Sequence, residues 1–121
     1  MHYLLEAIII GLYSSIIYLP ISLVKLNIII ELFIIGFIKH YFGYYLKIHN
    51  YYCKKNKKRK ALNKYLITDS IIEGILFIIF GYFTLQYFNI KIIGYFIIGI
   101  ILHIFMEYIN MHRYFIKYRC I

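Results

Sequence analysis

Polar residues are scarce along this chain, and they fall at intervals that leave four apolar stretches between them. From Ala7 to Val24 there are 18 residues without a charge, and from Gly74 to Ile90 there are 17, each with acids before it and a lysine after it. Both lengths approach the roughly 20 residues that cross a hydrocarbon core about 30 Å thick. The other two stretches are less clean: Ile28 to Ile48 contains Glu31, Lys39, His40 and Lys47, and Ile92 to Met111 contains His103 and Glu107. The pattern predicts four membrane-spanning helices over about 5–24, 28–48, 68–88 and 92–111. By hydropathy alone, the second also fits an amphipathic helix lying on the membrane surface.

An internal repeat favours the span. Shifted by 63 residues without gaps, Ile29–Lys54 matches Ile92–Lys117 at 13 of 26 positions. Isoleucine matches carry little weight in so isoleucine-rich a chain. The weight rests on Phe33/Phe96, Gly36/Gly99, His40/His103, Phe42/Phe105, Tyr45/Tyr108, His49/His112, Tyr51/Tyr114 and Lys54/Lys117. In the same register upstream, Glu6 meets Asp69 and Gly11 meets Gly74. The chain reads as one helical hairpin written twice, with repeat one over 1–58, a basic loop over 49–65 and repeat two over 64–121. Two spans per unit make a parallel repeat about an axis along the membrane normal, which predicts that His40 and His103 face one another at one depth.

The expected fold is therefore a single all-α membrane domain, a four-helix bundle of two tandem hairpins. Short links at Lys25-Leu26-Asn27 and Asn89-Ile90-Lys91 suit antiparallel hairpins. Pro20 is expected to kink or close the first span, because it has no backbone donor and clashes with the preceding turn.

Composition agrees. Hydrophobic residues make up 63% of the 121, against 45–50% in soluble domains, and so small a soluble fold encloses too little volume to hide them. The skew toward Ile, Tyr, Phe, Lys and Asn, with no Trp, also reflects AT-rich codons. "MHYLLE" lacks the basic region of a cleavable signal, and no small-residue cleavage site follows, so the first segment is expected to stay as a span.

Charge predicts orientation. Eight Lys or Arg lie between Lys47 and Lys64, three more are Arg113, Lys117 and Arg119, and the links on the opposite side hold only Lys25 and Lys91. The positive-inside rule puts the middle loop and both chain ends in the cytoplasm.

Helical spacing places Gly36, His40, Gly43 and Lys47 on one stripe, and Gly99, His103, Glu107 and Asn110 on the matching one. Gly36, Gly74, Gly81 and Gly99 are expected to let helices approach closely, although the spacing is not GxxxG. Lys39, His40, Glu73, His103 and Glu107, with Glu6 and Asp69, belong to the cytoplasmic half and form a candidate polar layer. An ionisable group in hydrocarbon costs roughly 2.5–3.5 kcal/mol, so each needs a partner or a route to the interface. Lys39 is expected to snorkel, and Glu73 or Glu107 to accept a hydrogen bond from His40 or His103.

Such contacts ordinarily fix helix register. Two sharper chemistries compete: His40 and His103 ligating a haem iron from both sides, or the acids and histidines relaying protons or ions. The relay needs a polar path through outer halves that hold almost no polar residues. A carboxylate di-metal site is disfavoured, because those bundles use Glu-x-x-His on two helices and here the order is His103-x-x-x-Glu107 on one. No cofactor is expected, and no catalytic signature names a reaction, so the expected role is not enzymatic.

At the rim, His49, Cys53, His112 and Cys120 have the inventory of a Cys2His2 zinc site, with irregular spacing and with Cys53 aligned to Ile116 rather than to Cys120. The alternatives are two free thiols, as a reducing cytosol favours, or a Cys53–Cys120 disulfide. The densest charge run is "KKNKKRK", with Lys54, Lys55, Lys57, Lys58, Arg59 and Lys60. It sets topology, and each cation near an anionic leaflet adds about 1 kcal/mol. Aromatics flank it only at Tyr51 and Tyr52, which disfavours nucleic acid.

The stretches "DSIIEGILFIIFGYF", "FIIGIILHIFMEYINMHRYF" and "GFIKHYFGYYLKIHNYYCK" resemble small multi-pass membrane proteins of nucleocytoplasmic large DNA viruses, the giant viruses. The resemblance covers nearly the whole chain and rests on short hydrophobic motifs. It implies a structural protein of an internal virion membrane or a host-derived assembly membrane, whose partners are the bilayer, anionic headgroups and capsid or core proteins. Self-association is left open. Phe115-Ile116 replaces Tyr52-Cys53 in the second repeat, a departure that weakens any paired-cysteine role.

Overall fold

A computed structural model describes residues 2–121, with side chains from residue 4 onward. The chain is all-helical, in the order α1 (His2–Ile21), α2 (Ile28–Tyr45), α3 (Ile48–Lys55), α4 (Leu66–Tyr87), α5 (Lys91–Tyr108) and α6 (Met111–Arg119). Helices α1, α2, α4 and α5 are each long and apolar enough to cross a membrane. Helices α3 and α6 are short and polar, and both stand at the end where the cations gather.

Local chemistry sets the boundaries. Pro20 stands in the last turn of α1, where it offers no N–H to the Ile16 carbonyl, and the chain turns just beyond it at Ser22. Asn27 starts α2 by accepting a 2.9 Å hydrogen bond from the Ile29 N–H. The second and fourth spans end earlier than the apolar pattern predicts, at Tyr45 and Tyr108. Soon after each, one residue takes the left-handed conformation: Lys47 at φ 64° and Asn110 at φ 62°. Such a residue cannot continue a helix, so α3 and α6 set off in new directions. Ile48–Lys55, expected to begin a loop, is thus a helix.

The links are short, but the consecutive helices are not the closest partners. The most extensive packing joins α2 to α4 and α1 to α5. Glycines make both seams. A Cβ added to Gly36 would lie 2.9 Å from the Gly74 Cα, and one added to Gly99 would lie 2.7 Å from the Gly11 Cα. Gly81 differs, since it makes room for the side-chain ends of Leu32 and Ile98, whereas the first two seams bring backbone to backbone. In lipid, where apolar side chains lose nothing by staying exposed, such close backbone approach is what holds helices together.

Buried positions recur at the spacing of 63 residues: Ala7, Gly11 and Ser14 on α1 stand where Ser70, Gly74 and Phe77 stand on α4. Leu32, Ile35 and Gly36 on α2 likewise match Tyr95, Ile98 and Gly99 on α5. Phe77, Leu32, Ile35, Ile98 and Leu102 fill the middle of the bundle, all at 2% exposure or less. At the end away from the basic loop, Glu31 is buried and accepts from the Tyr95 hydroxyl at 2.8 Å and from Lys91 Nζ at 3.2 Å. The sequence pattern gave no sign of that trio, because Glu31 there reads only as an interruption of a span.

Candidate functional site: a histidine-lined cavity beneath a basic rim

Because α1 and α4 begin, and α2 and α5 end, at the same end of the bundle, four of the five acids gather there: Glu6, Asp69, Glu73 and Glu107. Each has a cationic or imidazole partner. Lys39 Nζ meets Glu73 at 2.5 Å, with both side chains nearly buried, so Lys39 is paired inside the bundle instead of snorkelling. Arg119 grips Asp69 through two nitrogens, at 2.7 and 3.1 Å. Lys55 pairs with Glu6, and His112 Nδ1 donates to Glu107 at 2.5 Å. Glu107, on the margin of its stripe, is exposed.

Beneath the rim lies a cavity of about 320 Å³, lined by His40, His49, His103 and His112 together with Tyr52 and Glu73. The imidazoles stack in two pairs. His40 and His49 have ring centroids 4.7 Å apart, as do His103 and His112. Both pairs link the end of a span to the short helix that follows it, and they stand 63 residues apart in sequence. His40 and His103 thus line one cavity, but each takes an imidazole of its own half as ring neighbour. Facing imidazoles ready to clamp a planar cofactor are not the arrangement seen. His40 Nδ1 lies 3.6 Å from Glu73, an ion-pair distance, and His103 Nε2 lies 3.7 Å from Glu6.

Tyr52 joins the halves. Its hydroxyl donates to Glu6 at 2.9 Å and stands 3.2 Å from His103 Nε2. With that proton given to Glu6, the imidazole serves as the N–H donor of the second contact. Burial, reinforced by the Glu6 charge, raises the Tyr52 phenol above its usual range, so it stays protonated. His49 is pushed down to about 3, chiefly by burial and then by neighbouring His40, and is a neutral ring at physiological pH. The Arg119 pKa is raised by its hydrogen bond to Asp69, and the Lys55 pKa by its hydrogen bond to Glu6.

At the rim, Cys53 and Cys120 form a disulfide with Cα atoms 5.6 Å apart. That corrects the expectation of free thiols and takes both sulfurs from the candidate zinc set His49, Cys53, His112 and Cys120. His49 packs edge-on to Phe115 and His112 binds Glu107. Among the described residues no three His, Cys, Asp or Glu side chains converge to hold an ion. Ala61 bridges Cys120, with Leu62 N–H donating to Arg119 and Ile121 N–H to Lys60, so the tail is pinned to the middle loop. Lys54, Lys55, Lys57, Lys58, Arg59 and Lys60 are all exposed on that loop and the end of α3.

Tyr52 and Arg119 are the members of this site that sequence reasoning missed, and Lys55, read there only as part of the basic run, is the partner of Glu6. The available signal was the spacing of Tyr52 and Lys55, three apart on one face of a short helix. Four helices of this length and hydropathy fit an integral, multi-pass membrane protein in contact with the bilayer. Comparison with known protein families, with curated proteins and with solved structures gives no match.

Proposed function

We propose that this protein is a structural component of a membrane, a tightly seamed bundle that presents a basic rim to anionic lipid or to an acidic protein surface. The observation that carries the reading is the contrast between the two regions: paired acids and exposed cations at one end, and an apolar plug of Phe77, Ile98, Leu102, Leu32 and Ile35 across the middle. The polar groups of the rim and the Glu31–Tyr95–Lys91 trio lie on opposite sides of that plug. A proton or ion relay needs a polar path between them, so the arrangement favours structure over transport. The repeated contacts support a duplicated hairpin with a pseudo-twofold axis as its origin.

By the positive-inside rule, the rim faces the cytoplasm. Thiols there are normally kept reduced. The Cys53–Cys120 bond is nevertheless compatible with that side, because its residues are only 0% and 6% exposed and soluble reductants have little access. The resemblance to giant-virus membrane proteins further suggests an internal virion membrane or an assembly membrane as the setting, with capsid or core proteins as partners.

The test is a docking assay. Protein reconstituted in neutral vesicles is expected to tether phosphatidylserine vesicles in a salt-sensitive way, and replacing Lys54, Lys57, Lys58, Arg59 and Lys60 with Gln is expected to abolish tethering. Absence of tethering together with a pH gradient dissipated by the reconstituted protein replaces this reading with ion handling. Detection among the membrane components of purified virus particles supports the viral setting, and absence from them retires it.

A further inference from the structure

Because α1 packs chiefly on α5 and α2 chiefly on α4, the basic end leaves a groove of about 550 Å³ between α1 and the α2–α3 break with the short helix α3. Leu5 and Ile9 of α1 form one wall, Ile48 and Tyr51 of α3 form the other, and Lys47 and Lys55 also line it. The groove is open to the flank of the bundle: Leu5, Ile9 and Tyr51 are 60%, 54% and 60% exposed. It descends along α1 from Leu5 to Tyr13, eight residues or about 12 Å at 1.5 Å per residue. That depth suits the upper part of an acyl chain in one leaflet, half of a core about 30 Å thick.

The charges at the groove do not cancel. Glu6 is its one acid and is taken by Lys55. Lys47 is exposed and has no ion-pair partner among the described residues. Its left-handed backbone, at φ 64°, places it at the break between α2 and α3, beside the groove. The second half of the chain has no such pair of cations, because Asn110 and Tyr118 stand where Lys47 and Lys55 stand in the first.

We propose that this groove holds one molecule of an anionic glycerophospholipid, with an acyl chain along Leu5 and Ile9 and its phosphate at Lys47. The inference goes beyond the docking role of the rim, since the charged run from Lys57 to Lys60 takes no part in it. One site per chain follows from the asymmetry between the halves.

Native mass spectrometry of detergent-purified protein offered equal phosphatidylglycerol and phosphatidylcholine tests it. One phosphatidylglycerol is expected to be retained in preference. Lys47→Asn installs the residue that already holds the left-handed conformation at position 110, so the fold is kept. It is expected to lower the preference about fivefold, the effect of one cation near an anionic headgroup. Ile9→Trp fills the groove without changing charge and is expected to lower retention of both lipids. Replacing Lys57, Lys58 and Lys60 with Gln is expected to leave retention unchanged, so failure here is distinguishable from failure of the docking role. Equal retention of the two lipids by the parent protein, wild-type preference in Lys47→Asn, or displacement of the lipid by millimolar inorganic phosphate overturns the proposal.

Discussion

Gly36 and Gly74 meet so closely that a methyl group on the first would lie 2.9 Å from the Cα of the second. The other close atoms there are the Glu73 carbonyl oxygen, at 2.8 Å, and the Phe77 Cβ, at 2.9 Å, neither of which can swing aside. Gly36→Ala therefore forces α2 and α4 apart and is expected to destabilise the bundle by about 1–3 kcal/mol. Gly99→Ala is expected to do the same to α5 and α1 through the Gly11 Cα and the Ile10 carbonyl. Unfolding in mixed micelles of rising SDS content measures both. Stability equal to the parent protein in both variants contradicts the glycine seams.

His49 predicts a pH dependence. Its folded-state pKa, about 3, lies below the 6.5 of the free side chain, so below pH 6.5 the unfolded chain binds a proton that the folded chain refuses. The stability this contributes is complete above pH 6.5 and is lost as the pH falls toward 3, at about 1.4 kcal/mol per pH unit. Lys39, His40, Glu73 and Asp69 are the charged and titratable groups that act on the ring. His49→Phe keeps the aromatic contact with Phe115 and removes the proton site. Its unfolding free energy is expected to fall less steeply than that of the parent between pH 6.5 and 5, and identical slopes count against a buried neutral His49.

The disulfide joins residues 67 apart, a loop whose closure restricts the unfolded chain by about 4 kcal/mol in the chain-entropy treatment. Cys53→Ser with Cys120→Ser is expected to lower stability by about 2–4 kcal/mol. It is also expected to free the 59–62 segment, which pairs with the tail. Alkylation without reductant, read by mass, is expected to find no reactive thiol in the parent protein. Two labelled cysteines in native protein contradict the bond.

The spans were legible because length and hydropathy are local properties: Ala7–Val24 and Gly74–Ile90 needed nothing beyond their own residues. The pairing of α1 with α5 was not, because the hairpin links say only which helices are consecutive and nothing about which faces fit best. The positions of α3 and α6 were hidden for a different reason. Lys47 and Asn110 take a backbone conformation that their side chains permit without demanding, and the apolar run passes through both. His40 and His103 line one cavity, yet their neighbours His49 and His112 lie beyond those breaks, so the stacked pairs could not be read from helical spacing. The disulfide depends on a tail folded back to Ala61, which no spacing reports.

The cross-pairing of the halves bears on how the protein is made. When α1 and α2 leave the ribosome, the helices that supply their glycine-matched faces, α5 and α4, have not yet been synthesised. The early product is a loosely associated hairpin that must wait in the bilayer, with Gly11 and Gly36 against lipid tails, until translation delivers the later helices. Assembly is consequently a late, long-range event, and a ribosome that stops between α2 and α4 leaves a fragment ready to seek its missing partners on another chain.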